Sequence, residues 1–183
     1  MTSSYASSPT FAGRIHSIQT TDDTEIEWVA AGMRQTLIEV EGEAVGAALY
    51  SMDWLRQRVR WHLDKNQSTA AVLVAEDATG HIIGHTIVRI ESENGGEKFG
   101  LISTTYVAPA SRRLGVAAQL LTDGEAWMVA QNLPEAATWT SAANTPLIDL
   151  YRRFGYEIVA RHIHDTTQTP MIKLAKRLHK AAV

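Results

Sequence analysis

Residues 106–117 have the sequence YVAPASRRLGVA, and this stretch carries the strongest structural signal in the 183-residue chain. Residues 99–107 have the composition of a β-strand, and Pro109 ends it because proline has no N–H to donate. From Arg112 onward, apolar residues recur at helical spacing for about five turns. The stretch therefore predicts a strand, a short turn and the start of a long helix.

The start of this helix has the composition of an anion-binding site. The first N–H groups of a helix lack intrahelical partners, and the helix dipole adds about half a positive charge there. Gly115 has no side chain and lets a phosphate oxygen approach the backbone, while Arg112 and Arg113 add positive charge. The alternative is a patch of small residues for close packing of helix on sheet, beside two solvated arginines.

The composition narrows the classes of function. The chain has 17 Lys+Arg and 20 Asp+Glu, a net charge of −3, so we expect no attraction to nucleic acid. The absence of cysteine excludes disulfides, Cys-based zinc sites and thiol nucleophiles. No apolar run approaches the ~18 residues of a membrane helix. We therefore expect a cytoplasmic protein with no nucleic-acid partner and no membrane partner.

The length favours one domain. Residues 1–13 are rich in Ser and Thr and lack the basic and apolar segments of a signal peptide, which predicts a loose tail. Residues 14–183 contain no linker and no internal repeat, and we expect them to form a single domain.

Before the motif, the pattern predicts two helices and a three-stranded antiparallel meander. Residues 21–24 supply several helix N-caps, and apolar spacing makes residues 44–65 one further helix. Trp54 and Trp61 lie off its apolar stripe, either packing against another helix or subunit or forming a wall of a substrate pocket. The predicted strands are residues 14–18, 70–76, 82–91 and 99–107.

After the long helix, residues 136–141 form a predicted strand. A strand, a helix and a strand in succession make a βαβ unit, so the two strands should be parallel. Thr145 and Pro146 are the expected N-cap and first residue of a helix that Gly155 ends. The last predicted strands are residues 156–160 and 171–174.

The segment around the predicted turn resembles the acetyl-CoA-binding motif of the GNAT superfamily of N-acetyltransferases. In that motif a strand ending in Val-x-Pro precedes a Gln/Arg-x-x-Gly-x-Gly/Ala turn and a long helix. Val107 and Pro109 match the first part, and Arg112, Gly115 and Ala117 match the second.

A second family pattern follows in the expected order. It consists of an Asn, a Tyr seven residues later and then a Gly-aromatic pair, which Asn144, Tyr151, Gly155 and Tyr156 match. The resemblance extends over residues 14–178 and agrees with the order of elements predicted above.

The resemblance implies a GNAT-type α/β fold. Its mixed sheet would have about seven mostly antiparallel strands with a central splay, flanked by about four helices. The implied activity is acetyl-CoA-dependent transfer of an acetyl group directly to a primary amine of a small molecule or peptide, without an acyl-enzyme. The alternative is a catalytically idle acyl-CoA-binding sensor. Homodimers are frequent in the family, so a homodimer is one expected state.

The resemblance also implies the cosubstrate-binding residues. Tyr106 and Val107, at the splay, would pair with pantetheine and polarise the acetyl carbonyl. Asn144 would bond the pantetheine arm, although it also suits a helix cap. The pyrophosphate would lie beside Arg112 on the backbone amides of Arg113, Leu114, Gly115, Val116 and Ala117.

Tyr151 is the implied proton donor to the departing thiolate, since a phenol has a reference pKa of about 10. The alternative is a core residue of an amphipathic helix. The general base departs from a common family pattern, because residues 101–106 hold no carboxylate. Glu91, at the end of the previous strand, is the candidate base, acting through a water, and His85 is another.

The sequence gives weaker signals for the residues that would contact the acceptor amine than for those that would bind the cosubstrate. His162 and His164 are candidate residues of an acceptor loop, and the family implies no metal. Seven acidic residues against Arg34 alone in residues 22–43 either steer a cationic amine or form a solvated helix face. They are Asp22, Asp23, Glu25, Glu27, Glu39, Glu41 and Glu43.

Overall fold

A seven-stranded mixed sheet organises the computed structural model, which describes residues 11–19 and 22–179. The strands are β1 (Arg14–Ser17), β2 (Ala70–Glu76), β3 (Ile82–Ser92), β4 (Lys98–Val107), β5 (Glu135–Ser141), β6 (Glu157–Ile163) and β7 (Pro170–Arg177). Their order is β1-β2-β3-β4-β5-β7-β6, and only the β4–β5 pair is parallel. The predicted meander and parallel pair are confirmed, while most of the predicted tail lies outside the described residues.

In the described part of the chain, five helices cover the two faces of the sheet. They are α1 (Asp23–Glu41), α2 (Glu43–Leu49), α3 (Met52–Leu63), α4 (Val116–Ala130) and α5 (Thr145–Arg153). Successive side chains of a strand point to opposite faces, so an interior strand covered on both sides is a continuous apolar run. In β2, Val72 and Val74 pack beneath α1 and α3, whereas Ala71 and Leu73 pack beneath α4. No helix in the described part of the chain is long and apolar enough to cross a bilayer.

The prediction of one helix over residues 44–65 is wrong. Tyr50 has an extended backbone, with φ −139° and ψ 139°, and separates α2 from α3. The Ser51 hydroxyl accepts a hydrogen bond from the Trp54 N–H at 3.1 Å and so caps α3. The break accounts for five helices where about four were expected, since capping by serine outweighs an uninterrupted apolar period.

Two predicted helix starts also differ. A 3₁₀ turn at Pro109–Ser111 precedes an extended Arg112, and α4 begins only after Gly115, which has φ 82°. Asn144 and not Thr145 occupies the N-cap position of α5. Both starts lie in the segments that the family motifs identify.

The sheet opens between its two parallel strands. Only Gly100–Ile102 of β4 pairs with Ala136–Thr138 of β5. A bulge leaves Ser103 without a partner in the β3–β4 register, and bulges of this kind re-aim a strand. We call the gap between residues 103–107 and residues 139–141 the β4–β5 cleft. The predicted central splay is thus present.

Candidate active site

The N-terminus of α4 holds a row of backbone N–H groups without partners. The N–H groups from Arg113 to Ala118 find no acceptor among the described residues, and Gly115 supplies no side-chain cap. The first bond into the helix runs from the Gln119 N–H to the Gly115 carbonyl at 3.0 Å. We call residues 113–118 the amide cradle. Free N–H groups at the positive end of a helix dipole are suited to a phosphate.

The backbone of the amide cradle is left-handed at two positions. Arg113 has φ 66° and Gly115 has φ 82°. Glycine adopts this conformation freely, whereas a non-glycine residue there costs about 1–2 kcal/mol. Left-handed residues in a turn direct neighbouring N–H groups toward one side, which forms an anion-binding concavity. Strain at Arg113 in this position is typical of a binding site.

Arg112 is engaged with the protein rather than free beside the amide cradle. Its Nε donates to the Val107 carbonyl at 2.9 Å, and its Nη2 lies 2.6 Å from the Glu39 carboxylate. Arg112 therefore ties the end of β4 to the last turns of α1. The neighbouring Arg113 is exposed, and its guanidinium forms no ion pair with the described residues.

Tyr151 lies at the β4–β5 cleft on the α5 side of the sheet. It is 2% exposed, and its ring meets that of Tyr156 edge-on with centroids 5.0 Å apart. Burial raises the pKa of the Tyr151 phenol to about 12, and the nearby hydroxyls of Thr105 and Thr138 oppose the rise. Thr105 belongs to β4 and Thr138 to β5, so the hydroxyl lies where the two strands separate. It remains protonated at neutral pH.

The backbone at the end of β4 presents a free N–H to the cleft. The Ala108 N–H donates to the Ile83 carbonyl at 2.9 Å, and so points toward β3. The N–H groups of successive strand residues point to opposite edges. The Val107 N–H therefore faces the cleft, while the backbone of Tyr106 faces β3. The Tyr106 ring lies on the other face of the sheet, 6.1 Å from the His85 ring.

Asn144 lies beyond the end of β5. Its carbonyl accepts the first bond of α5 from the Ile148 N–H at 3.0 Å, but its side chain makes no capping bond. The amide is half-buried and has no hydrogen-bond partner among the described residues. It is therefore free to bind a ligand beside the cleft.

A cavity of about 310 Å³ lies on the opposite face of the sheet, under α1 and α3. It reaches the β4–β5 cleft through Ser103 and Trp139, one residue from each strand. Trp54 forms part of the wall and stacks on Tyr50 with ring centroids 4.1 Å apart. Of the two interpretations of Trp54, the pocket wall is the one its position favours. The other side chains that line the cavity come from α1, α3, β3 and β4, among them Met33, Leu37, Arg58, His62, Arg89 and Thr104.

The two candidate general bases, Glu91 and His85, are either ion-paired or buried. Glu91 forms an ion pair with Arg89, Oε2 to Nη2 at 2.7 Å, and its register partner is Phe99 at the distant end of β4. His85 is fully buried between Trp28 and Tyr106, and burial lowers its pKa to about 3. An enclosed neutral ring with so low a pKa is a poor proton acceptor.

The acidic block is largely paired with groups from other elements. Most of its carboxylates are therefore neutralised or hydrogen-bonded by other elements and do not form a free acidic surface. The pairs are Asp23 with Arg60, Glu25 with His16, Glu27 with Arg56, Glu39 with Arg112 and Glu41 with the Thr169 hydroxyl.

The loop between β6 and β7 is fastened to the end of α1. The Thr169 hydroxyl donates to Glu41 at 2.6 Å. His162 is exposed, 3.5 Å from Asp165, and its ring lies 6.3 Å from Trp139 at the cavity wall. His164 Nδ1 accepts from the Thr167 N–H at 3.2 Å and so shapes the loop. Of the two, His162 lies nearer the cavity.

Within residues 11–19 and 22–179, one set of three potential metal ligands is close together. Atoms of His16, Glu25 and Glu76 lie within 4.8 Å of one another. Arg14 Nε donates to Glu76 at 2.6 Å, and His16 Nε2 lies 2.7 Å from Glu25. These contacts satisfy both carboxylates and fasten β1 to its neighbours.

Comparison with known proteins agrees with this geometry. A model of the acetyltransferase (GNAT) family matches residues 49–156, which include the amide cradle and Tyr151. The chain belongs to the GNAT acetyltransferase family. The resemblance of the chain to the GNAT superfamily is thereby confirmed.

Individual GNAT relatives are distant. A mycothiol acetyltransferase from Arthrobacter sp. (strain FB24) is 30% identical over 88 residues, which is 48% of this chain and 27% of the relative. The ribosomal-protein-alanine N-acetyltransferase from Brucella melitensis has a TM-score of 0.72 at 18% identity, covering 90% of this chain and 99% of that one. The NatC complex bound to Gag peptide and CoA matches with a TM-score of 0.69 at 17% identity, covering 92% and 100%. The solved structures establish the GNAT fold.

The polar wall of the cavity, formed by Arg58 and His62 of α3, was not predicted from the sequence. Trp54, Arg58 and His62 recur every four residues, so they share one face of α3. That spacing is visible in the sequence. The fact that Arg89 of β3 lines the same cavity as Arg58 could be seen only in the fold.

Proposed function

We propose that this GNAT protein is an acetyl-CoA-dependent N-acetyltransferase that acts on a primary amine of a small molecule or peptide. The observation that carries the proposal is the amide cradle, which continues from the strand that forms one side of the β4–β5 cleft. An elongated thioester with a pyrophosphate at one end fits that arrangement. The expected cytoplasmic location and homodimer stay predictions.

The amide cradle binds the pyrophosphate through the backbone N–H groups from Arg113 to Ala117. The Val107 N–H pairs with pantetheine in the cleft, in the manner of an added strand, and Tyr106 holds that backbone against β3. Arg112 keeps the end of β4 in place through its bond to the Val107 carbonyl. The free amide of Asn144 binds the pantetheine arm from the β5 side.

The reaction is direct transfer. The amine nitrogen attacks the thioester carbonyl, an N–C bond forms and the C–S bond breaks. The nitrogen loses one proton, and the released thiolate takes one up from solvent. The absence of cysteine from the chain favours this route over a thiol acyl-enzyme. The cavity on the other face of the sheet is where the amine enters.

Tyr151 donates a hydrogen bond to the departing sulfur. With its pKa near 12, full proton transfer to a thiolate of reference pKa about 8.5 is uphill. The phenol therefore stabilises the developing charge while it keeps its proton. Glu91 receives the amine proton through water, since it is the carboxylate bonded to the cavity residue Arg89.

A thiol-release assay over a panel of amines, with mass spectrometry of the products, tests the proposal. We expect thiol release that depends on the amine and yields one acetylated amine per thiol. CoA binding without any acetylated product would instead support an acyl-CoA sensor and overturn the enzyme.

A further inference from the structure

The cavity under α1 and α3 contains two guanidinium groups. Arg58 of α3 and Arg89 of β3 both line it. Arg89 donates to the Ser103 hydroxyl at 3.2 Å and pairs with Glu91. Arg58 has no ion-pair partner among the described residues, and burial followed by the charge of Arg89 lowers its pKa. One positive charge in the cavity is therefore uncompensated.

Trp61 holds these two cations together. Its ring centroid lies 4.2 Å from Cζ of Arg58 and 5.8 Å from Cζ of Arg89. The negative face of an indole attracts cations and offsets part of their mutual repulsion. Contact with one ring restrains both guanidiniums before a ligand binds, and a planar fork loses little further freedom on binding.

His62 has the properties expected beside such a pair. It is 2% exposed, and its Nδ1 has no hydrogen-bond partner among the described residues. Burial, and then the charges of Arg58 and Arg89, lower the pKa of His62 to about 3. The ring is neutral and adds no negative charge. No Asp or Glu among the described residues lines the cavity.

The remaining wall is apolar and aromatic. Met33 and Leu37 of α1 face the stacked pair Tyr50 and Trp54, and Trp139 closes the side next to the cleft. A volume of about 310 Å³ accommodates a small molecule and no large acceptor domain. The cavity thus combines an apolar surface with two guanidinium groups, of which Arg58 has no ion-pair partner among the described residues.

We propose that the acceptor amine carries a carboxylate, which Arg58 and Arg89 bind while its apolar part packs against Trp54 and Trp139. The inference rests on the proposed function and names its substrate class. Guanidinium groups bind carboxylates through paired, charge-assisted hydrogen bonds, so the match is one of shape and charge. A polycationic amine is the acceptor this cavity disfavours.

The test compares amines that differ only in carboxylate against carboxamide, such as phenylalanine with phenylalaninamide and 4-(aminomethyl)benzoate with its amide. We expect kcat/KM for the carboxylate members to be higher by ~10-fold or more. Amine reactivity cannot produce this preference, because a nearby carboxylate stabilises the unreactive ammonium form.

Arg58→Gln is the diagnostic variant. It should raise KM for the carboxylate members toward that of the amides and change KM for the amides less, while Arg58→Lys should retain part of the preference. Arg60→Gln is the matched control, because Arg60 is on the same helix but pairs with Asp23 outside the cavity.

The outcomes separate the two proposals. Equal acetylation of carboxylates and amides, or a preference that survives Arg58→Gln, overturns the carboxylate site and leaves the N-acetyltransferase standing. If no amine is acetylated while CoA binds, the proposed function fails and the carboxylate site fails with it.

Discussion

Arg112 and Glu39 form an ion pair, with Nη2 and Oε1 2.6 Å apart, that joins the turn before the amide cradle to the end of α1. The same guanidinium donates to the Val107 carbonyl at the end of β4. Because α1 also supplies Met33 and Leu37 to the cavity, one arginine connects the cosubstrate side of the sheet with the acceptor side.

Replacing the two partners should have unequal effects. Glu39→Gln removes only a half-exposed ion pair and should lower the free energy of unfolding by about 0.2–1 kcal/mol. Arg112→Gln also removes the donor to the Val107 carbonyl and should cost about 1–3 kcal/mol. Urea denaturation measures both, and equal losses would mean that the Val107 bond adds nothing.

Gly115→Glu should abolish CoA binding. The new carboxylate would occupy the amide cradle and repel the pyrophosphate, and a like-charge contact of this kind costs several kcal/mol. Gly115→Ala is the control, because it carries the strain of φ 82°, about 1–2 kcal/mol, without the charge. Calorimetric titration should show weakened CoA binding by the alanine variant and none by the glutamate variant. Undiminished binding by Gly115→Glu would place the pyrophosphate elsewhere.

Glu91→Gln distinguishes two roles of Glu91, that of the general base and that of an ion-pair partner of Arg89. Loss of a water-mediated base should reduce kcat by ~10-fold or more and move the acidic limb of the pH–rate profile. KM for a carboxylate-bearing amine should fall, because Arg89 loses its partner at 2.7 Å. An unchanged kcat and pH profile would show that the amine proton leaves directly to solvent.

Stability should depend on two buried histidines below neutral pH. The pKa values of His62 and His85 are near 3, while the unfolded chain takes up the same protons near 6.5. As the pH falls below 6.5, protons bind the unfolded state first. The contribution of the two neutral histidines to the free energy of unfolding is therefore fully present above pH 6.5. It is lost as the pH falls toward 3, by about 1.4 kcal/mol per pH unit for each histidine.

Urea denaturation between pH 6.5 and 4.5 measures this slope. His62→Gln should reduce it by about half, since one of the two linked protons is removed. A stability that stays constant over that interval would contradict the burial of both rings.

The sequence predicted the sheet well because its strands alternate or are continuously apolar. Residues 70–76 match β2 in full, and the parallel pairing of β5 follows from the long helix before it. The cradle was predictable because Gly115 and the N–H groups after it are neighbours in the chain. Backbone features that depend on local sequence could therefore be predicted.

Other features depend on contacts between distant segments. Arg112 was expected to add charge for a phosphate, but Glu39, remote in sequence, takes up its guanidinium. The acidic residues of α1 looked like a free surface because their partners, such as Arg56 and Arg60, belong to α3. Pairing of this kind has no local signal.

The most direct test of the account is the turnover of Tyr151→Phe measured beside that of Tyr156→Phe. The two rings touch, but only Tyr151 borders the cleft, and the Tyr156 hydroxyl has no hydrogen-bond partner among the described residues. Tyr151→Phe should lower kcat for amine acetylation by ~10–100-fold with CoA affinity unchanged, and Tyr156→Phe should keep its turnover. Full activity of Tyr151→Phe, or equal losses in both variants, would contradict transfer at this site.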